Sequence, residues 1–567
     1  MSKTALPMAL ALAFAALPTD AEACGGFFCS SEPIDQSKER IVFGIDNDKV
    51  EAHIQIFYQG EADDFAWVVP VPSVPEVGLS TDELFNQLEW RTQPTFNLEW
   101  REEGTCEWDM WDVTLDSDAA EGGAPPSAGG GGGGGVVVVE KAQVGPYDQV
   151  TLQADDTAAL LTWLQDNDYD IPNEVGEALA PYVADGSYFV ALKLSNDSDA
   201  GDIAPLKMVY DATSAMIPIV LTSIAATPDM RLQPYIFADH RAVPDNYLHV
   251  KINEAAIDWL GWGSNYDKVI TEAANEAGGQ AFATDYAGST EPLRGMLWSE
   301  GRFDLASLRT TTDPAWFVNQ MLGQGFPRST AVQNLIREFI PMPQAAIDAG
   351  IEEQWFYNCL DCYPEYLEDV DFDPNAMTDA LDEVIVTPMR EAESLLTDHP
   401  FVTRMTSSMS PDEMTLDPYF VLNADMEPVD NQHLATLVIE CGDGGRISES
   451  QRRIVLADGR EILVPPESWF WENGSSYGEF VEDLDETNAL VIEKTSATGF
   501  AQVLADNSGL VDDAIDNHNE RVRELFGLEE PGGTGTAAGC GCSAGGSNLG
   551  GVWPAFLVLL GLGRRRR

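Results

Sequence analysis

Acidic residues outnumber basic ones about three to one in this chain: 94 Asp and Glu stand against 31 Lys and Arg, a formal charge of −63. Such a chain repels itself at low salt, and salt or divalent cations are needed to screen its surface. The same excess excludes a nucleic-acid partner, because phosphate contact needs clustered Lys and Arg. It also argues against docking on anionic lipid. With 44% hydrophobic residues the 567-residue chain still has the material for packed cores, on a scale of roughly three to four domains. No uncharged apolar run reaches the ~18 residues of a membrane span, which excludes a multi-span protein.

Both ends carry addresses. Lys3 precedes an apolar stretch over 6–17, and Ala21-Glu22-Ala23 puts small residues at the two positions a signal peptidase reads. Residues 1–23 are therefore predicted to be a cleaved secretory signal, with the cut after Ala23 and Cys24 first in the mature chain. A bacterial lipobox would also end on that cysteine, but Ala21 and Glu22 stand where the box wants a large apolar residue and then a small one. At the other end, 531–567 reads as linker and tail. A Gly/Thr-rich lead-in is followed by Gly539-Cys540-Gly541-Cys542, an apolar run over 552–562 and the closing Arg564 to Arg567. The run is short for a bilayer, and the arginines would hold that end on the cytoplasmic side. Loss of five of the 31 basic and two of the 94 acidic residues on processing would leave 26 and 92, a net charge of −66.

The tail resembles the MYXO-CTERM sorting signal of exported myxobacterial proteins. That resemblance implies processing near Cys540 by a membrane protease, lipid attachment at Cys540 or its neighbour Cys542, and display on the cell surface in association with the outer membrane. The partners it implies are the export and sorting machinery and the envelope membrane.

In an exported protein the six remaining cysteines, Cys24, Cys29, Cys106, Cys359, Cys362 and Cys441, read as disulfides. The spacing leaves the pairing open: Cys24 and Cys29 could close locally, or either could reach Cys106. Cys359-Leu360-Asp361-Cys362 has the form of a thiol–disulfide motif. Its acidic surroundings and following Pro364 favour a structural bridge over a reactive thiolate.

Along the body, period-2 patterning predicts strands over 40–45, 50–58, 65–72, 136–144, 187–194, 206–210, 217–225, 232–238 and 247–252, with helices over 82–90, 155–165 and 177–183. Residues 116–135 form a glycine-rich insert. From 257 to 395 helical signals dominate, at 268–277, 314–322, 330–339 and 379–396. Strands return at 434–440 and 453–464, the latter as a hairpin around Ala457-Asp458-Gly459-Arg460, before a helix over 512–526. The fold class expected is α+β: a strand-rich domain over 24–252, a mainly helical region over 253–430, and a small α+β region over 431–530.

The segments 23–29 (ACGGFFC), 39–43 (ERIVF), 64–72 (DFAWVVPVP), 144–148 (VGPYD) and 186–194 (GSYFVALKL) resemble the bacterial domain of unknown function number 2330. The resemblance extends over roughly 23–430 and carries no catalytic residues with it.

Few constellations suggest chemistry. Gly474-Ser475-Ser476-Tyr477-Gly478 fits the G-x-S-x-G of serine hydrolases, which needs a strand ending near Trp469 to Trp471 and a helix over 479–484. Only His518, beside Asp516, follows it. Asp166, Asp168, Asp170 and Glu177 are spaced like calcium ligands of an EF-hand loop, but Ile171 stands where the turn glycine belongs. Asp369, Asp371 and Asp373 form a similar stretch, ended by Pro374. Calcium is the sole cofactor candidate. The six histidines form no metal motif. Trp67, Trp259, Trp262 and the Trp469-Phe470-Trp471 cluster could stack on a sugar, although core packing is the commoner use of Trp. The reading that results is an exported, surface-held, non-catalytic protein with a binding or envelope-structural role. The alternative is an exported enzyme working through Cys359 and Cys362 or through Ser476.

Overall fold

A computed structural model describes residues 36–55, 66–107, 137–167, 169, 175–194, 203–224, 226–368, 370–481 and 484–528. Within them the fold is α+β, with strands gathered in the N-terminal half, helices in the middle and strands again near the C-terminus. Ten strands make one sheet. Their order is Gln502–Asp506, Ala489–Lys494, Leu248–Ile252, Ala281–Ser289, Phe401–Met409, Ala226–Ala238, Gln36–Asp46, Lys49–Gln55, Leu206–Asp211 and Glu76–Leu79. A boundary at 252 or at 430 would cut through this sheet, which takes strands from all three stretches.

Alternation along Gln36–Asp46 creates the two faces. Ile41, Phe43 and Ile45 point one way, onto Trp67, Val69 and Val71 of strand Ala66–Val71 in a separate four-stranded sheet. Val42 points the other way, onto Leu84, Phe85 and Leu88 of helix Asp82–Thr92 and onto Leu395 and Leu396 of helix Thr387–Asp398. The first helix starts where Thr81 accepts the Glu83 amide proton, with two acids in its first turn. The helices between residues 305 and 398 surround their own core of Phe317, Met321, Phe356, Met377 and Leu381. A further four-stranded sheet runs Glu461–Val464, Gln451–Val455, Gln432–Arg446, Thr95–Glu107, and helix Ser508–Phe526 covers it with Val511, Ile515 and Val522. No helix among the described residues is long and apolar enough to cross a membrane.

Several local expectations change. The strand expected over 217–225 is not found at the described residues 217–224; Ile219–Thr222 is a single helical turn. An apolar run this short has no periodicity to separate helix from strand, and Asp417, far along the chain, accepts the Val220 amide proton and fixes the turn. The helical middle contains the strand Ala281–Ser289. Trp469 to Trp471 lie in helix Glu467–Asn473, not at a strand end. The strand expected over 50–58 is described as Lys49–Gln55, its end lying outside the described residues.

Two disulfides lie within the described residues. Cys106 pairs with Cys441, 335 positions away, rather than with Cys24 or Cys29; those two residues are outside the described ones. The bridge ties the parallel strands Thr95–Glu107 and Gln432–Arg446 at their far end. There the backbones approach so closely that a Cβ on Gly104 would stand 2.4 Å from the Gly442 carbonyl oxygen, at a φ of +94°, so glycine is required. Cys359 and Cys362 pair with each other. Cross-linking chemistry predicts unequal contributions, because a longer loop removes more entropy from the unfolded chain. Replacing Cys106 and Cys441 together by Ser should cost about 2–4 kcal/mol in urea unfolding, and the same change at Cys359 and Cys362 distinctly less. Equal costs would refute this ranking.

Candidate functional site

The sites expected from sequence scatter. Ser476 follows a helix and a turn rather than a strand, so the strand–turn–helix support of a hydrolase nucleophile is missing. His518 is buried, bonded to the Leu463 carbonyl oxygen at 3.0 Å and packed edge-on to Phe480. Cys359 follows the C-terminal end of helix Glu353–Asn358 and precedes only the single 3-10 turn Leu360–Cys362, whereas a reactive CxxC sets its first sulfur at the N-terminus of a full helix. Asp166 closes helix Thr157–Asp166 and Glu177 lies within helix Val175–Ala184; Asp168 and Asp170 are outside the described residues. Asp373 caps helix Pro374–Leu381 by accepting the Asn375 and Ala376 amide protons. Among the described residues no three His, Cys, Asp or Glu side chains gather as a metal site. Trp67 and Trp259 are core residues, while Trp262 and Trp471 are exposed. Ala23, Cys24, Cys29, Cys540 and Cys542 are outside the described residues.

What the fold does bring together is a set the sequence did not flag. A cavity of about 700 Å³ opens where strands Leu248–Ile252, Ala281–Ser289 and Ala489–Lys494 meet the 456–460 turn and the loop before residue 433. Antiparallel pairing sets His249 directly opposite Glu493. Bulging of Ala281–Ser289 between Thr284 and Tyr286 re-aims the side chains there, as bulges do.

The polar groups form an ordered chain. Arg241 can only donate, and its Nη2 donates to Thr284 Oγ1 at 3.1 Å. The Thr284 hydroxyl then donates to His249 Nε2 at 2.9 Å, and His249 Nδ1 donates to Glu493 Oε1 at 3.0 Å. Lys251 Nζ takes the other carboxylate oxygen at 3.0 Å. Burial lowers the His249 pKa and keeps the ring neutral, in spite of the Glu493 carboxylate. Burial alone would raise Glu493, but His249 and Lys251 outweigh it and hold that carboxyl at about 2. Arg241 is itself 6% exposed. Its Nη1 donates to the Glu427 carbonyl oxygen at 2.6 Å, and its Nε has no partner. Apolar walls come from Val250, Ala283, Leu490 and the exposed ring of Phe500. Such a cavity can hold an apolar body and present a guanidinium edge to an anionic group. The hydroxyl–imidazole–carboxylate order is also one used in acyl transfer.

Comparison with known proteins adds a match over part of the chain. Residues 18–297 match DUF2330, an uncharacterized protein conserved in bacteria. Every segment that carried the resemblance falls inside this match, which closes at 297 rather than near 430. The matched part thus contains Arg241, His249 and Thr284, while Glu493 and the 456–460 turn come from beyond the match. No curated protein and no solved structure matches the chain.

The site has a pH signature. Glu493 is held near 2 against an ordinary 4.5, so its contribution to stability is present above pH 4.5 and is lost as pH falls toward 2. Glu493→Gln should cost about 2 kcal/mol at pH 7, a figure discounted for the exposure of Lys251. The gap to wild type should close between pH 4.5 and 2 in denaturant titrations. A gap that is constant with pH would refute the ionised assignment.

Proposed function

We propose that the protein is exported, held at the cell surface, and binds a small organic anion without acting on it, in the cavity beside Arg241. The observation that carries the binding reading is Arg241 itself. It is a buried guanidinium with no ion pair among the described residues and an unpaired Nε, in the wall of a cavity that also offers the apolar side chains of Val250, Ala283, Leu490 and Phe500. A carboxylate is the group such an edge accepts. The location rests on the signal over 1–23 and on the Cys540, Cys542 and arginine pattern of the tail. The disulfides Cys106–Cys441 and Cys359–Cys362 suit an oxidising compartment.

Location and binding are tested separately. Cys540→Ala should remove the protein from the protease-accessible cell surface; unchanged display would refute the anchor. Calorimetry with hexanoate, with hexanol as the uncharged control, should show the carboxylate bound more tightly. Arg241→Gln should weaken hexanoate about tenfold or more, and Phe500→Ala, at an exposed position, should weaken both ligands. Equal binding of hexanoate and hexanol would overturn the anion reading. The Thr284–His249–Glu493 order supports a second reading as an exported acyl-transfer enzyme: hydrolysis of p-nitrophenyl acetate abolished by Thr284→Val would establish it.

A further inference from the structure

A second cavity lies farther along the same sheet, with two strands between, and its chemistry is opposite. It occupies about 390 Å³ between the ten-stranded sheet and strand Ala66–Val71, a volume in the ~300–1,000 Å³ range of small-molecule sites. One wall is Ile41, Phe43, Ile54 and Met208; Trp67 and Val69 face them. These residues follow from the register, which sets Ile41 opposite Ile54 and Phe43 opposite Ala52 on one face.

Glu39 shares that face, two residues before Ile41, and also lines the cavity. It is 7% exposed, and its Oε2 is out of solvent with no hydrogen-bond partner. Burial alone pushes its carboxyl up to about 7. The fold could have turned this residue outward or supplied a cation; it does neither. The other charged side chains of the cavity are Asp185 and Asp417, and no Lys, Arg or His lines it. Asp417 is already engaged, accepting from the Tyr182 hydroxyl and the Val220 amide at 3.0 Å each. Asp185 is exposed to water, so Glu39 is the buried acid left over for a ligand.

We propose that this cavity binds a small amphiphilic primary amine, its alkyl chain between Phe43 and Trp67 and its ammonium on the Glu39 carboxylate. An ammonium supplies the missing donor and the missing charge together, and exclusion of water strengthens the pair. The free amine and the aminoalkyl headgroup of a lipid share this chemistry; the volume favours the free amine.

The test is calorimetry on the full chain with hexylamine, hexanol and ethanolamine. Hexylamine should bind at least about tenfold more tightly than hexanol. Ethanolamine, which has the headgroup charge but no chain, should bind negligibly. Glu39→Gln should remove the preference for the amine while leaving hexanol binding in place. Because the surface is strongly acidic, the titration is repeated in about 0.5 M NaCl, where exposed charges are screened. Binding that persists there supports the buried pair, and this arm decides the matter if Glu39→Gln does not fold. Equal binding of amine and alcohol, an unaltered amine affinity in Glu39→Gln, or loss of binding in salt would each overturn the proposal. None of these outcomes depends on Arg241.

Discussion

The ten-stranded sheet depends on one buried ion pair. Asp285 and Arg404 lie on adjacent strands near its middle, 3% exposed each, with Arg404 Nε 3.0 Å from Asp285 Oδ2. The same carboxylate accepts from Thr406 Oγ1 at 2.5 Å, and its other oxygen accepts from the Tyr266 hydroxyl at 2.5 Å. A charge this deep is tolerated only when it is paired and its remaining lone pairs are filled, and here both conditions hold. Breaking one partner would leave the other charged in the interior, a loss of about 3–5 kcal/mol in comparable cases. The pair also fixes register. A slip of one residue would send Arg404 to the opposite face of the sheet, away from Asp285.

That constraint positions both cavities. Strand Phe401–Met409 carries five polar residues and is nevertheless buried, and its hydroxyls have local answers: Thr403 accepts from the Ala242 amide, Ser407 donates to the Ala281 carbonyl oxygen and Ser408 to that of Asp229. With Ala226–Ala238 it separates the strands of the Arg241 cavity from those of the Glu39 cavity. The two sites therefore share no lining residue.

The legible parts of the sequence were those whose side chains report local geometry. Helix Thr330–Phe339 could be placed from its apolar spacing after Ser329, and the 453–464 hairpin from Asp458-Gly459. Gln36–Asp46 and Leu206–Asp211 alternate because one face is apolar on each. Ala281–Ser289 and Phe401–Met409 were not legible, because buried polar residues such as Asp285, Arg404 and Thr406 interrupt their apolar patterning and find their partners only across the sheet. The candidate site was illegible for the same reason. Arg241, His249, Thr284 and Glu493 have no common motif, and only the pairing of Leu248–Ile252 with Ala489–Lys494 makes neighbours of His249 and Glu493. The one local hint was a histidine inside an apolar strand, which a core residue would show equally well.

Charge placement links these observations. A chain with so few cations still buries several of its arginines, and it does so where a carboxylate is buried or half-buried nearby. Arg40 meets Glu89, Arg404 meets Asp285, and Arg452 meets Glu467. Buried acids without a cation are answered by backbone amides: Glu393 accepts from Gly295, Leu297 and Trp298, and Asp258 from Gly261. Glu493 has His249 and Lys251. Glu39 and Arg241 have no ion pair among the described residues, and each keeps one buried polar atom without a partner, Oε2 and Nε; each also stands in the wall of a cavity. An unanswered buried charge works against folding wherever it lies. Two of opposite sign, each facing a space of ligand size, are what a fold retains when the answering charge arrives from outside.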